Sequence, residues 1–558
     1  MPLLLTATNK KTGLNKDSVM LPAVRLYWFI TLVALPSSVA WLLIVSSDSL
    51  SLSELARHPF QLVLSVVFTG YAVLGFWEMR WAPNNLRRNY PVLANLRYLL
   101  EYIRPEIQQY FIASNTSERP FNREQRDLVY RRSKNLNDTL PFGTQRDILE
   151  QGFRSLYHSI NATTVQEEHS RVTIGGPGCK KPYSASRLNI SGMSFGALSA
   201  NAIAALNKGA ALGNFFHNTG EGSISEHHLA HGGDLVWQLG TGYFGCRTAQ
   251  GRLDNEAFAA KACLDQVKMI EIKISQGAKP SHGGVLPGAK VTEEIARIRT
   301  VEVGKTVYSP ARHPEFSSPL ELMNFVQRLR ELSGGKPVGF KFCLGRKSEF
   351  MAIVKGMLET GIYPDFITVD GAEGGTGAAP VEFSNRLGTP CLEATFAVSQ
   401  VLIGAGVRDK ISIISAGKTA TGYDMLEKIA VGADTVNAAR TMMMALGCIQ
   451  AQSCNTNNCP TGVATTDPIR GRAINVEAKA IRVKNFHHNT MHAFLELCGA
   501  MGYDNPDRLQ PGDIVCRYDA GYRLFDEIHP LLFDGQLLEH TAPPEYQLDW
   551  DRASAERF

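Results

Sequence analysis

The longest apolar runs of the chain lie near its N-terminus. Leu26 to Ser47 is an uncharged run of 22 residues, and Phe60 to Trp77 is a second of 18. Each approaches the roughly 20 residues that a helix needs to cross a bilayer. The pattern predicts two transmembrane helices, at about 26–47 and 60–77, within an N-terminal segment 1–80. The alternatives are two buried core helices, or a signal peptide for the first run.

Basic residues flank this pair of runs on both outer sides, whereas the connector SDSLSLSELARHP carries one arginine and two acids. The flanking cations are Lys10, Lys11, Lys16 and Arg25 before the first run, and Arg80, Arg87, Arg88, Arg97 and Arg104 after the second. By the positive-inside rule both ends of the hairpin lie in the cytoplasm. We therefore expect a multi-pass protein of the cell inner membrane, with the domain that follows the hairpin in the cytoplasm and lipid as a partner.

Residues 81–150 have a different pattern, in which short helical stretches such as NLRYLLEYI are separated by prolines. Arginines 87, 88 and 97 form a basic face, which either meets anionic lipid headgroups or is simply solvated. We interpret 81–150 as a basic amphipathic neck.

From Arg171 onward, short β-branched runs alternate with helical stretches. The strand-like runs are RLNIS, VKMIEIKI, KPVGFKF, PDFITVD, KISIISAG and DTVNAA. Their continuous apolar character is typical of parallel strands that are covered on both faces. We predict an α/β fold, a (β/α)8 TIM barrel over 151–512 that the transmembrane hairpin precedes, with 513–558 as a C-terminal extension. A doubly wound open sheet is the alternative.

Composition excludes several classes of protein. With 44% hydrophobic and 20% charged residues among 558, the chain is globular and not disordered. A formal net charge of +4 gives no general field for nucleic acid, so we expect no nucleic-acid partner. Ten cysteines are too few for a disulfide scaffold of this size.

Residues capable of chemistry cluster just after the predicted strands. The five segments are SGMSFGALS (191–199), NTGEGS (218–223), KISQGAKPSHGGVLPGAK (273–290), DGAEGGTGAAP (370–380) and AGKTATG (416–422). Active sites of such barrels lie at the carboxyl ends of the strands. The two late loops offer backbone N–H groups for a phosphate, and the lysines suit a dicarboxylate. Together they favour a flavin mononucleotide (FMN) enzyme that acts on an anionic substrate. A formal G-x-G-x-x-G, GTGYFG at 240–245, lacks the helix that a dinucleotide site requires.

Three of the cysteines form a spacing pattern. Cys448, Cys454 and Cys459 stand at C-x5-C-x4-C, which favours a metal site over disulfides. An iron–sulfur centre, a structural zinc and three unrelated thiols are the alternatives that the spacing leaves open.

The segments SGMSFGALS, NTGEGS, QGAKP with LPGAKV, GGTGAAP and LGCIQAQSCNTNNCPTGVAT resemble the FMN-binding synthase domain of the glutamate synthase family. They occur in the same order over about 360 residues. The resemblance implies an oxidoreductase acting on CH–NH2 donors, with FMN at the barrel mouth and a 3Fe-4S cluster held by the three cysteines of the spaced motif. It implies that 2-oxoglutarate and ammonia, or glutamine-derived ammonia, are converted through 2-iminoglutarate to L-glutamate by hydride from reduced FMN. Electrons would come from a donor protein, either ferredoxin or a reductase subunit.

The resemblance also assigns roles to individual residues. Glu221 and Lys273 are expected to be catalytic, with Glu221 a proton donor to the carbinolamine. Gln276, Lys279 and Arg299 are expected to bind the substrate. FMN contacts are expected at Met193, Ser194, Asn218, Lys273, Gly374, Gly375, Thr376, Gly417, Ala438 and Ala439.

The sequence also departs from the family pattern. The family motif PPPHHD is here PARHPE, which keeps His313, and DGG is here SAGK, which brings in Lys418. The family's glutaminase domain and C-terminal β-helix have no counterpart in the printed sequence, which therefore looks more like the stand-alone members. Two further functions stay open: an N-methylglutamate synthase-like enzyme using methylamine and glutamate, and a membrane-bound FMN and iron–sulfur electron-transfer subunit that does not turn over 2-oxoglutarate.

Overall fold

The computed structural model describes residues 22–45, 59–519 and 521–558. The chain divides into two compact units, residues 1–113 and 114–558. The predicted connector of the hairpin and three of its flanking lysines, at positions 10, 11 and 16, lie outside the described residues.

The first unit is helical. Its α-helices are Pro22–Val45, Pro59–Trp81, Asn85–Asn89 and Leu93–Ile107, and a π-helical turn at Gln108–Ile112 continues the last one. Within the first two helices, Pro22–Trp41 and Leu62–Trp81 have mean hydropathies of 1.5 and 1.6 and are long and apolar enough, by length and composition, to cross a membrane. Most side chains of these two helices are exposed, whereas two buried core helices would have most of their side chains covered.

Tyr27 holds the first two helices together. Its hydroxyl donates to the carbonyl oxygen of Ala72, and its ring lies against Gly75. A Cβ atom at Gly75 would lie 2.1 Å from that ring, so the close approach of the helices requires glycine there.

The second unit is built on a closed barrel of eight parallel strands. In chain order these strands are β1 (Leu188–Ile190), β2 (His217–Asn218), β3 (Leu235–Leu239), β4 (Val267–Lys273), β5 (Val338–Phe342), β6 (Phe366–Asp370), β7 (Ser412–Ala416) and β8 (Thr435–Ala438). Each strand pairs with the next, and β8 pairs with β1 through Val436 and Leu188. This last pairing closes the sheet, so the predicted (β/α)8 barrel is confirmed and the open sheet is excluded.

Helices surround the barrel and shorter elements extend it. The α-helices are Arg123–Ser133, Ala200–Gly213, Glu226–Leu229, Asn255–Ala262, Glu293–Arg299, Pro319–Leu332, Lys347–Thr360, Val381–Arg386, Cys391–Gly404, Gly422–Ala430, Arg440–Leu446, Pro468–Gly471, Val476–Ala500, Phe525–Ile528 and Pro544–Arg552. Single 3-10 turns lie at Glu167–Ser170, Gly288–Lys290, Arg408–Lys410, Pro506–Arg508 and Pro511–Asp513. Small antiparallel sheets pair Arg154–Leu156 with Ile514–Tyr518 and Gly521–Leu524, Arg171–Ile174 with Tyr183–Ser186, and Val285–Leu286 with Val307–Tyr308.

Several of the barrel helices begin where a side chain caps them. Ser199 accepts a hydrogen bond from the backbone N–H of Ala202, and Thr421 and Asp424 form a capping box. The helices then bury one apolar face against strands that are almost fully buried. The loops that follow the strands at 191–199 and 218–223 are themselves largely buried.

Candidate active site at the carboxyl ends of the barrel strands

The five segments singled out in the sequence all begin at the carboxyl ends of barrel strands, which lie at the same end of the barrel. Ser191 follows β1, Asn218 ends β2, Lys273 ends β4, Asp370 ends β6, and Ala416 ends β7. Ala438, which ends β8, accepts a hydrogen bond of 3.0 Å from the N–H of Ser191. The parallel strands therefore bring the predicted chemistry to one mouth.

One carboxylate and three cations meet at this mouth. The Oε1 atom of Glu221 lies 3.1 Å from Nζ of Lys273. Burial raises the pKa of Glu221, but the positive charges of Lys273, Lys279 and Arg299 outweigh it and hold the pKa below its ordinary value. Glu221 is thus an ionised carboxylate, and the group carries an excess of positive charge.

Arg299 is the last residue of the helix Glu293–Arg299 and is only 4% exposed. Its Nη2 donates to the carbonyl oxygen of Phe195 at 2.9 Å, and its guanidinium carbon lies 5.4 Å from the centre of the Phe244 ring. Burial lowers the pKa of Arg299 to about 10, while Glu221 opposes that shift. Its Nε is buried and has no hydrogen-bond partner among the described residues, so it is available to an incoming acceptor.

Lys279 is also buried. Its Nζ donates to the carbonyl oxygen of Ala378 at 2.9 Å. Burial lowers the pKa of Lys279 to about 8, against the opposing charge of Glu221. A lysine with a pKa close to neutrality can both bind an anion and give up a proton.

Glycines make room for these side chains. A Cβ atom at Gly284 would lie 2.3 Å from Oε1 of Glu221, and one at Gly222 would lie 2.6 Å from Nη2 of Arg299. A Cβ atom added at Gly240, the first glycine of GTGYFG, would lie 2.7 Å from the Cβ atom of Glu221. This motif follows β3, and its first glycine packs against the side chain of Glu221.

A buried polar network lies beneath the charged group. Glu271, within β4, accepts hydrogen bonds from Asn218 Nδ2 at 2.7 Å, Gln238 Nε2 at 2.6 Å and Thr368 Oγ1 at 2.6 Å. Nearby, Nζ of Lys341 lies 3.4 Å from Asp370 Oδ1. Burial lowers the pKa of Lys341, but Asp370 and Glu271 raise it above its ordinary value. Sequence reasoning predicted Asn218 for the site and missed its partners.

His313 contacts the backbone of Lys273. Its Nε2 lies 2.8 Å from the carbonyl oxygen of Lys273, and its Nδ1 lies 2.7 Å from the hydroxyl of Tyr243. Burial lowers the pKa of His313 to about 4, so the ring is neutral at physiological pH. A carbonyl only accepts, so Nε2 carries the proton and Nδ1 accepts from Tyr243. The sequence singled out His313, but gave no sign of its partner Tyr243.

Three cations also meet where β7 and β8 end. Burial, together with Arg440 and Arg119, lowers the pKa of Lys418. Burial lowers the pKa of Arg440 as well, and its Nη2 donates to the carbonyl oxygen of Glu373 at 2.6 Å. Lys418 and Arg440 both lie over the ring of Phe121, at 5.8 and 4.9 Å. Lys418 and Arg440 are half-buried and Arg119 is exposed, and Glu373 and Asp424 are the acids that oppose the shift at Lys418. A group of cations at a partly buried loop is suited to an anion.

The glycines predicted for FMN line the same loops. A Cβ atom at Gly375 would lie 2.7 Å from Arg440 Nε, and one at Gly417 would lie 3.0 Å from the Cys391 sulfur. Gly374 approaches Asp370 and Gly277. The loops pack so tightly against Arg440 and Cys391 that a larger residue than glycine at 375 or 417 would force these neighbours to move.

The remaining predicted residues divide into two groups. Met193 is buried, and its N–H donates to the carbonyl oxygen of Asn218 at 3.1 Å. Ser194 Oγ lies 3.5 Å from Arg299 Nη2, which places this loop beside the cations. Gly375 and Thr376 are exposed and are the least enclosed of the predicted set, whereas Gln276, Gly374 and Ala439 are half-buried.

The three cysteines of the C-x5-C-x4-C motif lie on one loop after the helix Arg440–Leu446. Burial raises the pKa of Cys459, but the hydroxyl of Thr461 and the N–H groups of Ala464, Thr461 and Val463 outweigh it and lower the pKa. Burial raises the pKa of Cys448 to about 11, with the N–H of Gln450 opposing. Across the part of the chain that the structure describes, no three His, Cys, Asp or Glu side chains are arranged to hold a metal ion. The iron–sulfur cluster therefore stays a prediction.

Comparison with known proteins settles the family. Residues 113–504 match the family model described as the conserved region in glutamate synthase. The chain belongs to the glutamate synthase family. The matched region covers the whole barrel and the cysteine loop, so the resemblance seen in the short motifs is confirmed.

Relatives of the chain carry the same family name. The glutamate synthase large subunit-like protein YerD of Bacillus subtilis is 36% identical over 500 residues, which are 82% of this chain and 95% of YerD. The archaeal glutamate synthase [NADPH] of Methanocaldococcus jannaschii is 36% identical over 322 residues, 58% of this chain and 60% of that protein. The archaeal-type glutamate synthase [NADPH] of Thermotoga maritima is 34% identical over 326 residues, 58% of this chain and 61% of that protein. The chain thus matches about three fifths of the length of the archaeal and archaeal-type relatives.

Proposed function

We propose that this member of the family is an FMN and iron–sulfur enzyme that reductively aminates 2-oxoglutarate to L-glutamate. The observation that carries the proposal is the buried group in which Glu221 faces Lys273, Lys279 and Arg299. Three cations against one carboxylate leave the equivalent of two positive charges. A dicarboxylate such as 2-oxoglutarate brings two negative charges and neutralises the excess.

Arg299 and Lys279 supply different parts of the recognition. The unpartnered Nε of Arg299 and its planar guanidinium suit a carboxylate that is held by two hydrogen bonds. Lys279 offers a compact charge for the second carboxylate. The two side chains would fix both ends of the substrate and so orient its 2-oxo carbon.

The protonation states suggest how the residues divide the proton transfers. Glu221 is ionised, so its carboxylate is suited to accept a proton from the attacking amine nitrogen. Lys279, with a pKa of about 8, keeps a proton near neutrality and can pass it to the departing hydroxyl of the carbinolamine. This assigns the donor role, expected at Glu221 from the resemblance, to Lys279.

The site has the features that FMN requires. Lys418, Arg440 and Arg119 would neutralise the phosphate, and the glycines at 374, 375 and 417 would let backbone approach it. When bound, reduced FMN would supply the hydride for C2 of the 2-imino acid. The chain's own residues would bind and orient that acid and keep the charged group out of bulk water.

The cysteine loop has the donor chemistry of an iron–sulfur site. N–H groups directed at Cys459 favour its thiolate. The positive charge of Lys290 interacts with the sulfurs of Cys454 and Cys459. Cysteine thiolates hold Fe–S clusters, and hydrogen bonds to the sulfurs tune their potentials. We propose that Cys448, Cys454 and Cys459 hold a 3Fe-4S cluster, which would pass electrons from a donor protein.

We further propose that the helices Pro22–Val45 and Pro59–Trp81 anchor the chain in the inner membrane with the barrel in the cytoplasm. Their length, their apolar composition and the basic residues on their outer flanks support this. Reporter fusions at residues 20 and 110 should both read cytoplasmic, and one within 46–58 should read outside. A cytoplasmic signal from all three would contradict the hairpin.

Activity and cofactor are tested on the full chain in detergent. Purified protein reconstituted with iron and sulfide should be yellow, release FMN and not FAD on denaturation, and form glutamate from 2-oxoglutarate, ammonium and dithionite. Lys418→Ala should retain less FMN, whereas Lys410→Ala, at the opposite end of β7, should retain as much as the wild type. Folded protein without flavin would exclude the FMN proposal, and flavin-loaded protein without glutamate formation would exclude the substrate.

A further inference from the structure

The helix that follows the apolar hairpin has one apolar side on which the leucines are exposed and the isoleucines are half-buried. Leu93, Leu96 and Leu100 are 47%, 58% and 51% exposed, and Ile103 and Ile107 continue the same side of the helix Leu93–Ile107. Their spacing of three and four residues places them in one stripe along the helix. We call these five residues the apolar stripe. A soluble surface rarely leaves so continuous a row of leucine and isoleucine in water.

Arginines border the apolar stripe. Arg97 and Arg104 lie on one edge of it and are exposed, and Arg97 pairs with Glu101 at 2.8 Å. From Arg80 to Ala113 the chain carries five arginines and two glutamates. An apolar stripe with basic residues at its edge is typical of helices that lie in the boundary between lipid headgroups and acyl chains.

A carboxylate fixes this helix to the end of the second apolar helix. Glu78, in the last turn of Pro59–Trp81, is 1% exposed. Its Oε2 accepts from the N–H of Val92 at 2.6 Å, and its Oε1 accepts from Asn95 Nδ2 at 2.6 Å. Arg88 Nε also donates to the carbonyl oxygen of Ala82 at 2.6 Å. The stripe therefore begins where the second apolar helix ends, which is the depth of the headgroups if that helix spans a bilayer.

We infer that the helix Leu93–Ile107 lies in the plane of the membrane, with the apolar stripe in the acyl boundary and Arg97 and Arg104 at anionic headgroups. The inference rests on the proposed membrane hairpin. Two observations select lipid as the occupant: the hydrogen-bonded corner at Glu78 that joins the stripe to the hairpin, and the excess of arginine, which complements the anionic cytoplasmic leaflet. The arginine stems can lie along the apolar side while their charged ends stay in water.

Photo-crosslinking on the full-length protein tests the depth of the helix. The photoreactive residue p-benzoylphenylalanine is placed singly at Leu100, in the stripe, and at Tyr102, which is 81% exposed on the opposite side of the same helix. A third variant carries it at Val67, which is 64% exposed in the second apolar helix. Each protein is reconstituted into vesicles of phosphatidylcholine and phosphatidylglycerol, irradiated, and analysed for lipid adducts by mass spectrometry.

We expect lipid adducts at Val67 and Leu100 and a background level at Tyr102. Adducts at Val67 without any at Leu100 would overturn the inference while leaving the hairpin in place. Leu100 joined to a second copy of the chain would overturn it too, since the stripe would then be a protein interface. Equal adduct yields at Leu100 and Tyr102 would also overturn it, and absence of adducts at Val67 would count against the hairpin itself.

Discussion

The Nε2 atom of His313 lies 2.8 Å from the carbonyl oxygen of Lys273, the last residue of the fourth barrel strand. The contact matters because the strand ends at Lys273, and the Nζ atom of this residue pairs with Glu221. A neutral histidine that donates from Nε2 is an acceptor at Nδ1, and the Tyr243 hydroxyl is the donor to that atom. His313 is therefore a positioning residue, and Tyr243 sets its tautomer.

The first prediction follows from this relation. His313→Ala removes a buried hydrogen bond and leaves the carbonyl of Lys273 unpaired, a cost of about 1 to 3 kcal/mol. We expect kcat for glutamate formation to fall roughly ten-fold or more, with little change in KM for 2-oxoglutarate, because Lys273 would be misplaced relative to Glu221. Steady-state kinetics with FMN content and thermal unfolding measured alongside checks this.

Tyr243→Phe is the matched control for the first prediction. It keeps the ring and removes only the donor to Nδ1, so it should lower kcat in the same sense but less than His313→Ala. If both variants unfold at lower temperature and yet keep the wild-type kcat, the two residues serve only stability.

The second prediction concerns pH. Burial lowers the pKa of Lys279 to about 8, so in the ligand-free protein this lysine is charged below that pH and neutral above it. A dicarboxylate binds the charged form, and its apparent Kd should rise as pH increases through 8, by up to about ten-fold per pH unit. Titrating 2-oxoglutarate against the flavin absorbance between about pH 6 and 10 measures the dependence.

Lys279→Arg tests whether Lys279 causes that dependence. Arginine keeps its charge throughout this range, so the rise in Kd above pH 8 should flatten. An unchanged pH profile in the arginine variant would assign the titration to another group.

Much of this fold could be predicted because its strands are continuous apolar runs that alternate with helical stretches. Two strands were not among the predicted runs. These are β2, His217–Asn218, which at two residues is too short to give a pattern, and β3, Leu235–Leu239. The helix Val476–Ala500 was also not predicted, since it follows the last strand and lies outside the alternation of strand and helix. Length and periodicity identify elements, but only closure of the sheet shows which strands belong to it.

The candidate site could be predicted only in part. Residues in glycine-rich loops, such as Glu221 and Lys279, stand out because a charged group among glycines after a strand has few structural reasons to be there. Glu271 does not stand out, because it lies within an apolar strand and its role depends on partners from three other strands. Arg119 precedes the barrel by about 70 residues and reaches Lys418 only through the tertiary fold.

The third prediction concerns the cysteine loop. Cys454→Ser replaces a soft thiolate by a hard hydroxyl, so iron content and the electron paramagnetic signal of a 3Fe-4S cluster should be lost while FMN stays bound. Cys263→Ser, at an exposed cysteine outside the loop, should leave both unchanged. Iron that persists in Cys454→Ser at the wild-type ratio would exclude this thiol as a ligand.

The fourth prediction concerns Arg299. Arg299→Lys keeps a positive charge but loses the planar pair of donors, including the Nε that has no partner in the described structure. Loss of one charged hydrogen bond costs about 1.5 to 3 kcal/mol, which corresponds to a roughly ten- to hundred-fold weaker binding of 2-oxoglutarate. Flavin-monitored titration measures it, and FMN content should be checked because Nη2 also donates to Phe195.

The same helix provides the control for Arg299. Arg297 is exposed, and its Nη2 lies 3.3 Å from Oε1 of Glu226. Exposed ion pairs contribute little free energy. Arg297→Lys should therefore leave the Kd for 2-oxoglutarate within about two-fold of the wild type. If Arg299→Lys behaves like Arg297→Lys, the buried guanidinium holds the loop at Phe195 and does not bind the substrate. A wild-type protein whose flavin spectrum does not respond to 2-oxoglutarate would mean that the three cations around Glu221 bind a different dianion.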